Sequence, residues 1–134
     1  MFDTVIFVRA LLNPRSVWGK VIFEYYPHYS LFVSPQVLLE ILEVLKRPEI
    51  SKKYRFVEGM DIKRVLEILQ NADVIKVKTI PAVSKDPKDD KFLATAKAAS
   101  ADYLISADKD LLDLKVYEGI KIIDAETFLK LLVS

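Results

Sequence analysis

Apolar positions along this chain fall into short blocks separated by longer stripes at helical spacing, and the two alternate from end to end. Ser34-Pro35 opens the stretch Gln-Val-Leu-Leu-Glu-Ile-Leu-Glu-Val-Leu-Lys-Arg, which stops at Pro48. Ser suits an N-cap, Pro the first turn and a second Pro the end, so this segment predicts one helix. The block before it, Leu31-Phe32-Val33, suits a short buried strand. Met60 to Ala72 places Ile62, Val65, Leu66 and Leu69 on one face and predicts a second helix. Val74 to Ile80 alternates with Lys76 and Lys78, the pattern of a strand with one wet face. A helix then starts at Asp86-Pro87 and runs to about Ser100. Tyr103-Leu104-Ile105 reads as a strand, Asp108 to Leu112 as a short helix, Ile120 to Ile123 as a strand and Ala125 to Val133 as a closing helix. Strands separated by helices imply a three-layer α/β/α arrangement around a mostly parallel central sheet. Ligands of such sheets sit beyond the carboxyl ends of the strands.

Composition narrows this picture. The 134 residues are 51% hydrophobic, without a linker-like stretch or internal repeat, and read as one domain over residues 1–134. The apolar runs are broken by charges such as Glu40 and Glu43, well short of the ~20 residues that span a bilayer. A basic n-region and apolar h-region are not seen at Met-Phe-Asp, so the expected location is cytoplasmic, with no membrane partner. With no cysteine there is no disulfide framework, thiolate nucleophile or cysteine-based zinc site. The net charge of +1 argues against binding nucleic acid by bulk electrostatics alone. Lys46, Arg47, Lys52, Lys53 and Arg55 leave room for a local basic patch, although such residues are more often a solvated face.

Candidate chemistry rests on acids at the strand-to-helix junctions. Asp108 directly follows the strand ending at Ser106-Ala107 and also fits an N-cap. Asp110, two residues on, reads as solvated. Asp3 stands before Thr-Val-Ile-Phe-Val. Glu40 has Val37 and Val44 at helical spacing, so its carboxylate lies among apolar residues, which costs free energy unless it is paired with a lysine or coordinated. Glu43 has Arg47 one turn on and reads as a surface pair. In Asp86-Pro-Lys-Asp89-Asp90, Asp86 suits a cap, while Asp89 heads the inward stripe Phe92, Leu93, Ala96 and Ala99. Asp90 heads the wetter line Leu93, Ala94, Lys97. Carboxylates gathered in one place repel, so a hard cation such as Mg²⁺ or Mn²⁺ is required to neutralise them. Other chemistry is not supported: His28 sits alone within Tyr-Tyr-Pro-His-Tyr, and the glycines are isolated.

These blocks resemble a known family. Asp3-Thr4 with Val-Ile-Phe-Val-Arg-Ala-Leu-Leu is similar to the opening block of PIN domains. Ser34 to Pro48 resembles the second acidic motif. Asp86-Pro-Lys-Asp89-Asp90-Lys-Phe-Leu-Ala-Thr-Ala and Ala101-Asp102-Tyr-Leu-Ile-Ser106-Ala-Asp108-Lys-Asp-Leu-Leu resemble the third and fourth. The nearest likeness is to PIN domains assigned as toxins of toxin–antitoxin systems, relatives of the VapC ribonucleases. The resemblance implies a PIN-like fold and a Mg²⁺- or Mn²⁺-dependent endoribonuclease. Its catalytic metal ligands would be Asp3, Glu40, Asp89 and Asp108, with Asp90 the neighbouring candidate for the third position. Thr4 and Ser106 match hydroxyl positions that support the acids. An RNA substrate, a cognate antitoxin and a homodimer follow as expected partners, with Phe128, Leu129, Leu131 and Leu132 available either as a dimer surface or as core. The family's Asn after Asp-Thr is Val5 here, and only Met1 and Phe2 precede Asp3, which implies either a shortened first strand or a start that lies upstream. Val5 removes a polar group that helps hold the site and motivates the alternative of a degenerate, non-cleaving PIN domain that binds protein or RNA. A receiver-type phosphoacceptor also uses an acidic pocket at strand ends, but the lysine spacing it needs fits poorly.

Overall fold

Ser34 shows how local chemistry sets the architecture. Its backbone is extended, and its Oγ accepts from Val37 N at 3.3 Å, ending strand β1 (Phe32–Val33) and starting a helix in one step. The computed structural model describes residues 1–53, 60–83 and 86–134. Its helices are α1 (Thr4–Leu12), α2 (Val17–Gly19), α3 (Pro35–Leu45), α4 (Pro48–Lys53), α5 (Met60–Gln70), α6 (Asp90–Ala98), α7 (Lys109–Leu112) and α8 (Ala125–Val133). The strands after β1 are β2 (Asp73–Val74), β3 (Tyr103–Ile105), β4 (Val116–Tyr117) and β5 (Ile120–Ile123). Short turns of π-helix (Lys20–Glu24) and 3₁₀-helix (Tyr26–His28, Pro87–Asp89) complete it.

The result is the expected α/β/α arrangement with mostly parallel pairing. β3 pairs parallel with β5, β1 pairs parallel with β2, and Phe2 makes a single parallel bridge to Ile105. Among the described residues only β4 runs antiparallel, pairing with β5 through the two-residue turn Glu118–Gly119, where both residues have positive φ (50° and 81°). That turn type matches the twist of the flanking strands, and Gly119 adopts it without steric cost.

Two elements differ from the sequence pattern. Val74 to Ile80 alternates as a strand should, yet only Asp73–Val74 is one. Ile75 N still donates to Val33 O at 2.7 Å, but β1 ends there because Ser34 turns away to cap α3. Beyond it, Lys76 and Lys78 stay exposed while Ile75 and Val77 are half-buried, so the alternation reports burial without a ladder. The helix expected from Asp86 begins instead as the 3₁₀ turn Pro87–Asp89 before continuing as α6.

The core collects Ile6, Phe7 and Leu11 of α1, Val37 and Ile41 of α3, Phe92 and Leu93 of α6, and Leu104 and Ile105 of β3. Of the apolar residues of α8, Phe128 is core, Leu129 and Leu132 are half-buried, and Leu131 and Val133 are exposed. No helix among the described residues is long and apolar enough to cross a membrane. Ser34 is fully buried and also takes a hydrogen bond from Thr95 Oγ1 of α6 at 2.7 Å. Ser34→Ala therefore removes the cap of α3 and the buried contact from Thr95, whose hydroxyl keeps Lys91 O as an acceptor. The expected loss is about 1–2 kcal/mol, measurable by urea denaturation.

Candidate metal centre

The strand-to-helix turns after Phe2, β1 and β3 and the 3₁₀ turn before α6 direct four acids to one place. Asp3 has extended backbone, pairs through its N–H with Ile105 O at 3.0 Å and caps α1 by accepting from Ile6 N at Oδ1 (3.2 Å). Its other oxygen, Oδ2, accepts from Ser106 Oγ and from Ala107 N at 3.2 Å. The Ser106 hydroxyl accepts in turn from Asp108 N at 2.9 Å, so one buried oxygen ties the N-terminal segment to the start of α7. Burial raises the Asp3 pKa above its ordinary value, although its three hydrogen bonds pull the other way and only Asp108 adds to the rise.

Asp89 is only 6% exposed, and among the described residues its Oδ2 has no hydrogen-bond partner. It stands at the N-cap of α6 without capping it. Burial, then a shared hydrogen bond and repulsion from Asp108, then Asp86 and Asp3, push its pKa up to about 7. Asp108 caps α7, its Oδ1 accepting from Asp110 N at 2.8 Å. That turn brings Asp110 round: Asp89, Asp108 and Asp110 each offer an oxygen within 4.8 Å of the others.

Glu40 on α3 is balanced differently. Thr4 Oγ1 donates to its Oε2, and Lys91 Nζ lies 2.8 Å from its Oε1. Asp3, Glu40, Asp89 and Asp108 nevertheless line one pocket of about 220 Å³, together with Thr4, Val5, Arg47, Asp86 and Lys88.

The remaining expected ligand, Asp90, lies elsewhere. It is buried, its Oδ1 accepts from Val83 N at 3.1 Å, and it does not line this pocket. The two carboxylates diverge because consecutive residues at a helix start point about 100° apart. Asp110, read from the sequence as solvated, joins the acids instead. Its signal was the Asp-Lys-Asp spacing at a helix start, where the first side chain accepts from the third backbone N–H. Of the basic cluster, Arg47 lines the pocket, whereas Arg55 and the side chains of Lys52 and Lys53 lie outside the described residues.

The donor set consists of oxygen alone, with one buried carboxylate oxygen unpartnered among like charges. Such a set fits a hard divalent cation and does not suit a soft one.

Residues 1–110 match the PIN domain family. The chain is 29% identical over 116 residues to the uncharacterized protein MJ1680 of Methanocaldococcus jannaschii, covering 86% of this chain and 74% of that protein. The crystal structure of PAE2754 from Pyrobaculum aerophilum has a similar fold, with a TM-score of 0.62 at 15% identity over 98% of this chain and 87% of that one. The chain therefore belongs to the PIN domain family, whose members are generally nucleases that use divalent metals.

Proposed function

We propose that this chain is a Mg²⁺- or Mn²⁺-dependent endoribonuclease and the toxin of a type II toxin–antitoxin pair. The observation that carries the catalytic part is the buried, unpartnered Asp89 oxygen beside Asp108 and Asp110. Asp89, Asp108 and Asp110 would hold the ion, and Asp3 and Glu40 line one pocket with Asp89 and Asp108. A divalent ion bound there would supply an activated water and positive charge for the scissile phosphate.

The chain's own groups do the rest. Ligation needs the ionised form of Asp89, whose pKa burial and the neighbouring Asp108 raise to about 7, so loading the site would release a proton from it. Asp3 and Ser106 fix the start of α7 and so position Asp108. Arg47 and Lys88 line the pocket and provide cationic partners for RNA phosphates. Toxin function, a cytoplasmic location, a cognate antitoxin and a homodimer complete the reading. The exposed Leu131 and Val133 of α8 support self-association.

Two observations favour the non-cleaving alternative. Val5 lines the pocket 41% exposed, where the PIN pattern has Asn, and Glu40 already has a lysine for a partner. A pool of single-stranded RNA separates the two readings. The enzyme reading expects cleavage in Mn²⁺, none in EDTA, and a fall of about 10²-fold or more in Asp108→Asn. RNA that is bound but left intact in Mn²⁺ supports the binding module and overturns the nuclease.

A further inference from the structure

Glu40, which lines the pocket, has a resident cation beside it. Lys91 Nζ lies 2.8 Å from Glu40 Oε1, donates to Lys88 O at 2.8 Å and sits 5.0 Å from the centre of the Phe92 ring. Its side chain is 17% exposed. An ammonium has three protons to place, and here a carboxylate, a carbonyl and an aromatic face surround it, so its position is over-determined. The Glu40 carboxylate is equally occupied, since Oε1 faces Lys91 and Oε2 accepts from Thr4. Asp89 and Asp108 line the same pocket, Asp110 lies within reach of both, and among the described residues Asp89 Oδ2 has no hydrogen-bond partner. Demand for positive charge is therefore uneven across one cavity.

We propose that Lys91 acts as a built-in counter-ion for Glu40, so that the site takes a single divalent ion on Asp89, Asp108 and Asp110 and has no place for a second. The proposal deepens the metal-dependent reading above and rests on it. Lys91 is a specificity-determining residue on this view: it sets ion stoichiometry without touching the bound ion. A lysine that merely staples α3 to α6 gives the same contacts but does not control how many ions bind. The two roles separate on titration.

The test is calorimetric titration of the purified chain with Mn²⁺ alone, paired with electron paramagnetic resonance to detect spin-coupled ion pairs. The wild type should bind one equivalent and show no coupled signal. Lys91→Met frees Glu40 and should bind two, with a coupled signal. Lys91→Arg keeps the charge and should remain at one. Lys91→Met combined with Glu40→Gln should return to one, and thermal melts confirm that each variant is folded. Two equivalents in the wild type, or one in folded Lys91→Met, overturn the inference and leave the metal site intact. No Mn²⁺ binding by the wild type overturns both this inference and the metal-dependent reading.

Discussion

Asp89→Asn is expected to lower Mn²⁺-dependent RNA cleavage by about 10²–10³-fold while raising the melting temperature of the metal-free protein at pH 8. The two effects share one cause. In the metal-free fold, Asp89 is buried next to Asp108, and its pKa stands at about 7 against an ordinary 3.8. A carboxyl whose folded pKa is raised binds its proton more tightly when folded than when unfolded. Its contribution to stability is complete below about pH 3.8, declines as pH rises from there, and is lost once pH passes about 7. The wild type in EDTA should therefore melt at a lower temperature at pH 8 than at pH 5. Asn carries no charge at either pH, and its amide can donate to Asp108 where an ionised Asp89 repels it. The variant should show a smaller fall between the two pH values. Saturating Mn²⁺ should restore the wild type, by about 2.7 kcal/mol at a hundred times the Kd, and leave the variant nearly unmoved. Thermal melts at both pH values, with EDTA and with Mn²⁺, read all of this. A variant that melts below the wild type in EDTA at pH 8 would show that Asp89 is a structural acid whose charge the fold needs.

The parts of this molecule legible in the sequence are those where a local side chain decides the backbone. Ser34 before Pro35, Asp108 before Lys109 and Asp124 before Ala125 each cap a helix in the structure, and β3 and β5 lie where short apolar blocks stand between such signals. Two-residue elements were not legible: Val116–Tyr117 becomes a strand only because the Glu118–Gly119 turn folds it back on β5. Residues 75–80 carry a strand's alternation without a strand, because pairing depends on where the neighbouring β1 stops. The site divides in the same way. Helix periodicity separates Asp89, which lines the pocket, from Asp90, which turns to Val83 N. It cannot show that Lys91 reaches Glu40, since that contact depends on α3 and α6 lying side by side, nor that the turn at Asp108 brings Asp110 within reach of Asp89.

Phe2→Ala is expected to cost about 3–5 kcal/mol, the largest stability loss of any single truncation near the site. Phe2 is 2% exposed and meets Phe7, Tyr29 and Phe128 edge-on, with ring centres 5.8, 5.3 and 6.1 Å away. Edge-to-face pairs add to the value of the buried area, and removing the shared ring loses all three together. Phe2, Tyr29 and Phe128 already border a pocket of about 560 Å³. The space left by truncation joins that pocket, so the neighbours have little reason to close over it. Against a typical total stability of about 5–15 kcal/mol, the loss should lower the melting temperature by about 10 °C or more. The consequence reaches the metal centre through the backbone. Phe2 anchors the single bridge to Ile105, and the next residue, Asp3, holds Ser106 and through it the Asp108 N–H. Loosening that anchor should weaken Mn²⁺ binding although Phe2 does not line the metal pocket. Phe2→Leu refills most of the volume without the ring contacts and should fall between the two in both melting temperature and affinity. A Phe2→Ala protein that melts within about 3 °C of the wild type and binds Mn²⁺ equally well would show that Asp3 is held by its hydrogen bonds alone.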